Sequence, residues 1–329
     1  MPEPARLRWG ARRVPAGEKA ISAVTGGKED VLEFDALVIG EALMDITRTP
    51  LGGDAEHVGG SPANVALGLG RLGRSVALLT QLGDDDRGDR IRGHLGASGV
   101  QVVGAPADHT STAVATIGPD GSAEYDFDIT WGRFESPSDL TSRVIHTGSL
   151  AVFLAPGADA VDEVLRAAPA GTTITLDPNI RPALVGAREP AVARFEALAR
   201  RSQVVKMSDE DADFLFPGES IDAVLDRLLH GAVKLAAVTR GAAGSVLASA
   251  HGRVAVPAPR VNVIDTIGAG DTFMVSLIDD VLSDPDATGG GLDEDALTRI
   301  GTRAVELAAI TVARAGADLP TARPAATGA

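Results

Sequence analysis

The stretch Val261–Leu277 reads VNVIDTIGAGDTFMVSL and decides the fold. Alternating apolar residues begin it, glycines follow at positions 268 and 270, and the apolar face of a helix starts at Phe273. Glycine lets a backbone approach a ligand closely, and the first turn of a helix presents free N–H groups at its positive end. The stretch therefore predicts a strand, a tight turn and a helix start that binds an anion such as phosphate.

Asp271 falls in the first turn of this helix, beside the predicted anion site. A bound phosphate would repel a neighbouring carboxylate, so we expect the carboxylate to have a chemical task. It could accept the proton of a hydroxyl group that attacks the phosphate. The alternative is an ordinary turn in which Asp271 complements the helix dipole.

Composition excludes several classes of protein. The 329 residues include no cysteine, which excludes disulfides, thiolate metal sites and cysteine nucleophiles. A formal net charge of -15 argues against a nucleic acid or an anionic membrane as partner. No apolar run reaches the length of a membrane span, and the first residues lack a signal-peptide core. We therefore expect a cytoplasmic protein, with residues 1–33 forming a disordered extension because they show no sustained apolar period.

Two early segments carry polar residues next to predicted backbone turns. The first strand, Ala36–Gly40, is followed by two carboxylates, Glu41 and Asp45, where open α/β sheets bind ligands. Asp45 could hydrogen-bond the hydroxyl groups of a ligand, although a cap or turn role is equally consistent. In HVGGSPANVA, Gly59 and Gly60 form a tight turn, Ser61 is a predicted N-cap, and Asn64 points back toward the glycines.

Gly68, Gly70 and Gly73 have the G-x-G-x-x-G spacing of a dinucleotide-binding loop. That motif requires a strand before it and a helix after it, whereas here a helix precedes and a strand follows. We therefore reject a nicotinamide oxidoreductase. The glycines are predicted to let the helix pack closely and to end it.

Strands alternate with helices along the rest of the chain, except for a hairpin predicted within Ser111–Trp131. The pattern predicts a doubly wound, mainly parallel α/β sheet flanked by helices, with a small β-sheet lid. We expect the lid segments near residues 47–57 and 110–131. Arg181 in DPNIRP follows a strand and could bind a phosphate or a hydroxyl, while Gly241 and Gly244 form a second turn suited to a nucleotide.

From about Phe34 to Pro320 the chain resembles the ribokinase-like PfkB sugar kinases. The resemblance is carried by GGSPANVA at Gly59–Ala66 and DTIGAGD at Asp265–Asp271. Within the family, the bacterial fructokinase branch is most similar, and this similarity is carried by the segments GEALMDI, DPNIRP, VKMSDED and VTRGAAGS. The resemblance implies one kinase domain over residues 34–320 and a tail at 321–329. It also implies a homodimer formed through the lid.

The resemblance implies a role for each matched position. Asp271 would be the catalytic base, and the backbone of Gly268, Ala269 and Gly270 would form the anion hole. The implied sugar ligands are Asp45, Gly59, Gly60, Asn64 and Arg181. The implied positions for ATP and its Mg²⁺ are Thr239, Gly241, Gly244, Ser208 and Asp211. The implied positions for a monovalent cation such as K⁺ are Asp265 and Thr266.

One position departs from the family pattern. Many members have N-x-x-E near Mg²⁺ and the phosphates, whereas this chain has Ser208 and Asp211. Both can arrange water around Mg²⁺, but Asp is one methylene shorter than Glu.

We therefore expect an ATP-dependent sugar kinase that phosphorylates D-fructose at O6. The alternatives are a kinase for 2-keto-3-deoxygluconate, tagatose or ribose, and a sugar-binding protein without catalysis.

Overall fold

The computed structural model describes residues 31–49, 53–118, 123–135, 139–284 and 291–321. Nearly all of the predicted extension and tail lies outside the described residues. Leu32 and Glu33, which the sequence assigned to the extension, belong instead to the first strand, because they are in register with Leu140 and Thr141.

Fifteen strands and nine helices make up the described part of the chain. The strands are β1 (Leu32–Ile39), β2 (Leu43–Arg48), β3 (Asp54–Gly59), β4 (Val76–Leu79), β5 (Leu82–Gly83), β6 (Val100–Val103), β7 (Pro106–Ala107), β8 (Thr112–Ile117), β9 (Ala123–Asp128), β10 (Leu140–Gly148), β11 (Thr173–Asp177), β12 (Val204–Ser208), β13 (Leu235–Thr239), β14 (Ser245–Ala248) and β15 (Arg253–Val256). The helices are α1 (Ser61–Arg71), α2 (Asp86–Gly96), α3 (Gly157–Ala167), α4 (Pro182–Val185), α5 (Arg188–Ala199), α6 (Asp209–Leu215), α7 (Ile221–Leu229), α8 (Ala269–Ser283) and α9 (Glu294–Val312).

A nine-stranded sheet in the order β15-β14-β13-β12-β11-β10-β1-β4-β6 forms the centre of the molecule. Every neighbouring pair from β13 to β6 is parallel, which confirms the predicted doubly wound architecture. β14 and β15 are antiparallel and were not predicted as strands. They are four residues each and are joined by a turn, so they show little of the alternation that identifies a longer strand.

Successive side chains of the central strands point into two separate cores. On β1, Ala36 and Val38 pack with α1, α2, α8 and α9, whereas Leu37 and Ile39 pack with α3, α5, α6 and α7. A strand buried on both faces needs an almost continuous apolar run. Because aromatic residues are only 3% of the chain, these cores consist mainly of Ala, Val, Leu and Ile.

A second sheet of four strands, in the order β3-β2-β8-β9, forms the predicted lid. β8 and β9 are the predicted hairpin, and β2 pairs with β8 in parallel. Asp85, the N-cap of α2, accepts bonds from the N–H (2.8 Å) and Oγ1 (2.7 Å) of Thr110. Glu56 on β3 accepts a bond from Arg87 at 2.7 Å. These contacts join the lid to α2.

Gly68 allows α1 and α8 to pack closely, as the sequence predicted. A Cβ atom at Gly68 would lie 2.6 Å from Cγ2 of Val275 and 2.6 Å from Cδ2 of Leu319. Gly73 follows the helix with φ of 86°, a conformation that favours glycine. The three spaced glycines are therefore packing and terminating residues. None of the helices in the described ranges has the length and hydropathy needed to cross a membrane.

Gly68→Ala and Gly93→Ala form a matched pair that tests this packing. Both replacements raise helix propensity, but a Cβ at Gly93 of α2 meets nothing within 4 Å. We expect Gly93→Ala to stabilise the protein by about 0.5–1 kcal/mol and Gly68→Ala to destabilise it by about 1–3 kcal/mol through overpacking. Urea unfolding measures both. Equal stabilisation by the two changes would contradict the packing described for α1 and α8.

Candidate active site

Asp271 lies where the first turns of α1 and α8 meet. Its side chain is 7% exposed, and its two oxygens are held from α1. Ser61 Oγ donates to Oδ1 at 2.6 Å, and Asn64 Nδ2 donates to Oδ2 at 2.8 Å. The N-terminus of a helix favours negative charge, and here two such ends face one carboxylate. Hydrogen bonds from α1 thus fix the positions of both oxygens of the Asp271 carboxyl group.

Ser61 has a different position from the one that the sequence predicted. The N-cap of α1 is Gly60, with φ of 101°, and Ser61 is the first helical residue. A Cβ at Gly60 would lie 2.5 Å from the carbonyl oxygen of Glu41, so the chain can turn there only with glycine. The Ser61 hydroxyl consequently reaches Asp271 instead of capping its own helix. No sequence pattern marks this contact, because 210 positions separate the two residues.

The start of α8 leaves two backbone donors available. Gly268 is its N-cap, with φ of 78°, and the first helical bond runs from Thr272 N to the Gly268 oxygen at 2.8 Å. The N–H group of Ala269 is directed to the Thr266 oxygen at 3.3 Å. The N–H groups of Gly270 and Asp271 have no acceptor within the helix. The structure therefore favours these two as anion donors, one residue beyond the predicted Gly268–Gly270 set.

A cavity of about 290 Å³ opens beside Asp271, between the sheet edge and the lid. It is at the small end of the range for small-molecule sites. Ala113 and Phe127 line it from the lid. The predicted site residues that line it are Asp45, Gly60, Asn64, Arg181, Thr266, Gly268, Gly270 and Asp271.

Asp45 is on β2 and serves neither as a helix cap nor as a turn residue. Gly59 accommodates it, because a Cβ at Gly59 would lie only 1.9 Å from Asp45 Oδ2. Burial raises the pKa of Asp45 to about 6, although the charges of Arg181 and His57 act in the opposite direction.

Glu41 is a cavity residue to which the sequence assigned no role. It is 5% exposed, and its Oε2 accepts a bond from Ala151 N at 3.2 Å. Burial raises the pKa of Glu41 to about 7, and its bonds to Ser149 and to backbone N–H groups limit the rise. The sequence marked Glu41 as a carboxylate at the ligand-binding edge of the sheet, because it follows the first strand, but gave a specific role only to Asp45.

Arg181 is the only basic residue among the described residues that line the cavity. Its Nη1 donates to Asn179 Oδ1 at 2.8 Å, and its charge lowers the pKa of both Glu41 and Asp45. With Asp271, the cavity has three carboxyl groups and one guanidinium. It is therefore acidic.

The predicted nucleotide residues lie at the same edge of the sheet, outside the cavity lining. Ser208 and Thr239 are register partners at the ends of β12 and β13. Gly241 and Gly244 follow with φ of 49° and 85°. A Cβ at Gly244 would lie 2.0 Å from the Val256 oxygen, so this turn requires glycine.

Ser208 and Asp211 form a reciprocal cap at the start of α6. Asp211 is 5% exposed, and its oxygens accept bonds from Ser208 N at 2.9 Å and Ile180 N at 2.7 Å. Both oxygens of Asp265 also accept backbone bonds, from Ile267 N at 3.0 Å and Gly316 N at 2.9 Å. By contrast, the buried Oδ1 of Asp177 has no partner within the described residues.

Glu41→Gln tests the buried carboxyl group through the pH dependence of stability. Because its pKa rises from 4.5 to about 7 on folding, the folded protein binds the proton more tightly than the unfolded chain does. This group therefore lowers stability as pH rises from about 4.5 to about 7, by about 3 kcal/mol in total. Gln keeps an acceptor for Ala151 N and does not titrate.

Urea unfolding across this pH range should show a smaller loss of stability in the variant than in the unchanged protein. Asp45 and Asp177, whose pKa values burial also raises, contribute to both proteins and cancel in the difference. Identical pH dependence in the two proteins would show that Glu41 is not the group responsible.

Comparison with known proteins agrees with this geometry. A model of the pfkB family carbohydrate kinases matches residues 34–323. The fructokinase of Rhizobium leguminosarum bv. trifolii is 34% identical over 276 residues, which are 79% of this chain and 85% of the relative. Fructokinase-1 of Oryza sativa subsp. japonica is 32% identical over 320 residues, 91% of this chain and 97% of the relative.

The solved structure of Xylella fastidiosa fructokinase with bound ATP superposes with a TM-score of 0.76 at 26% identity, covering 86% of this chain and 94% of that one. The family model spans both glycine-rich motifs and the lid. This chain belongs to the pfkB family of carbohydrate kinases.

Proposed function

We propose that this protein transfers the γ-phosphoryl group of ATP to the 6-hydroxyl of D-fructose. The observation that carries the proposal is the position of Asp271, which lines a polar cavity at the starts of two helices. The relatives that are 34% and 32% identical are fructokinases, which supports fructose as the acceptor.

Asp271 acts as the general base. Its carboxylate accepts the proton of the fructose 6-hydroxyl, whose oxygen forms a bond to the γ-phosphorus while the bond from that phosphorus to the β–γ bridging oxygen breaks. ADP leaves with the electron pair of the broken bond. The N–H groups of Gly270 and Asp271, at the positive end of α8, stabilise the charge on the transferred group.

The charge of the cavity favours a neutral sugar over an acidic one. Glu41, Asp45 and Asp271 would repel the carboxylate of 2-keto-3-deoxygluconate, and only Arg181 among the described lining residues would attract it. Hydroxyl groups, in contrast, can donate to these carboxyl groups. We assign Asp45 and Asn64 to the sugar, with Gly59 and Gly60 allowing its close approach.

The nucleotide is assigned to the edge formed by β12 and β13. Thr239, Gly241 and Gly244 lie there, and the structure of the Xylella fastidiosa relative holds ATP. A nucleotide at this edge can direct its terminal phosphate toward the start of α8. An ATP-dependent role also supports the cytoplasm as its location.

Mg²⁺ would accompany ATP, since this ion is usually held by phosphates, water and one or two carboxylates. The Oδ1 atom of Asp177, which has no partner among the described residues, is suited to this role. Both oxygens of Asp211, in contrast, already accept hydrogen bonds from the backbone N–H groups of Ile180 and Ser208. We therefore assign Asp177 to the ion and a supporting role to Ser208 and Asp211. When bound, the ion neutralises phosphate charge.

Two further assignments concern K⁺ and assembly. Asp265 joins the loop before α8 to Gly316, and we assign K⁺ activation to this junction and Thr266. β9 is an edge strand of the lid, and it presents Tyr125, which is 62% exposed, beside Phe127. An exposed edge strand can pair with another chain, which supports a homodimer formed through the lid. Because Ala113 and Phe127 of the lid line the cavity, we also propose that the lid closes over the sugar.

The proposal is tested by ADP release with ATP and Mg²⁺ over fructose, tagatose, ribose and 2-keto-3-deoxygluconate. We expect turnover with fructose and a loss of about 10²–10⁴-fold in Asp271→Asn, because the general base is removed. The variant should keep its melting temperature. Turnover on another sugar would change the substrate, and activity in Asp271→Asn within tenfold of the unchanged protein would contradict the mechanism. Absence of turnover with all four sugars would favour the non-catalytic alternative.

Ser61→Ala tests whether α1 orients the base. A hydrogen bond to a charged group contributes about 1.5–3 kcal/mol, so we expect kcat to fall by about 10- to 100-fold with little change in KM for fructose. Ser61→Thr keeps the hydroxyl and should restore most of the activity. An unchanged kcat in Ser61→Ala, or a loss that Thr does not restore, would show that this contact is not needed.

A further inference from the structure

Lys206 is a buried cation in a strand that is otherwise apolar. It lies on β12 between Val205 and Met207, and it is 3% exposed. Its Nζ donates to Asp177 Oδ2 at 2.8 Å. An ammonium group loses its hydration when it is buried, and a single ion pair seldom compensates for that loss. A pair of apolar residues would fill the same space more simply, so the charge itself requires an explanation.

The Lys206 ammonium lies directly behind the first turn of α8. A Cβ atom at Gly270 would be 2.9 Å from Nζ, so a side chain at this position would displace the ammonium. Gly270 lines the cavity on its other side. The Lys206 ammonium is thus separated from the anion donors of α8 by one backbone segment.

Acidic groups keep Lys206 charged. A lysine ammonium ordinarily stays protonated well above neutral pH, and here its Nζ lies 2.8 Å from the Asp177 carboxylate, which favours the charged form. An ammonium has three N–H donors, and Asp177 accepts from one of them. The charge is therefore present at neutral pH and is directed toward the edge where the phosphates of ATP are proposed to lie.

We propose that Lys206 supplies positive charge, through the first turn of α8, to the γ-phosphoryl group that is transferred. This inference rests on the proposed kinase function. Lys206 does not line the cavity, so it acts from behind Gly270 and positions charge without touching the substrate. Since ADP lacks the γ-phosphoryl group, the effect should be specific for ATP.

Lys206→Met removes the charge and keeps the approximate length of the side chain. Asp177→Asn is the matched control, because it breaks the same ion pair but leaves the cation. Titration calorimetry with ATP and with ADP, in EDTA, measures the ratio of the ADP to the ATP dissociation constant without any contribution from Mg²⁺. We expect Lys206→Met to lower this ratio about tenfold and Asp177→Asn to leave it equal or higher, because removal of the carboxylate leaves the cation unopposed.

Turnover with Mg²⁺ supplies a second readout. We expect Lys206→Met to lower kcat by about 10²–10³-fold, as for loss of an anion-hole donor, with KM for fructose changed much less. If Lys206→Met does not fold, Lys206→Met with Asp177→Leu replaces the pair with apolar residues, which is often tolerated. Because this variant also removes the Asp177 charge, its ADP-to-ATP ratio is compared with that of Asp177→Leu alone and should be about tenfold lower.

An ADP-to-ATP ratio that does not change when Lys206 is replaced, relative to the matched protein that keeps the lysine, would overturn the inference, as would an equal loss of the ratio in Asp177→Asn. The second result would show that the ion pair acts only through structure. These outcomes differ from failure of the kinase function, in which the unchanged protein itself would neither bind ATP nor phosphorylate a sugar.

Discussion

Asp271 is a buried carboxylate, and the structure around it is arranged to hold that group in one orientation. Two helix starts face it, and Ser61 and Asn64 each donate to one of its oxygens. This arrangement requires α1 and α8 to approach within the reach of short side chains. Gly68, at the contact between α1 and α8, permits the approach because a Cβ there would collide with Val275. Packing far from the cavity thus sets the geometry of the base.

Charge balance is the second constraint on the site. The carboxyl groups of Glu41 and Asp45 line the cavity, and burial raises the pKa of each, so both bind protons more readily than exposed carboxyl groups do. Such groups can accept or donate hydrogen bonds to a polyol. The cations are placed apart, with Arg181 at the cavity and Lys206 behind α8. Each cation is therefore close to several carboxyl groups, Arg181 to those of the cavity and Lys206 to Asp177, Asp211 and Asp271.

We propose that Asp177 and not Asp211 holds the divalent ion, because the two carboxylates differ in their hydrogen bonds. Asp211, the shorter residue at the position where many family members have Glu, caps α6 and binds Ile180 N. Asp177 on the adjacent strand retains a buried oxygen without a partner in the part of the chain that the structure describes. Because both residues lie at the carboxyl edge of the sheet, the ion's assignment can shift between them without any change of fold.

The sequence by itself predicted several local features of this protein: most of the alternation of strands and helices, the lid hairpin, the start of α8 and the position of the candidate base Asp271. These depend on periodicity, glycine and short motifs, which act over a few residues. The strand predicted from Val261 to Ile264 is wrong, because that segment forms no strand and leaves Val263 and Ile264 exposed. Only the tertiary structure decided that Ser61 binds Asp271, that Glu41 is a buried acid and that Lys206 lies against Gly270. Those contacts join residues far apart in the chain, and they exist only because helices and strands pack together, a relation that no local pattern encodes.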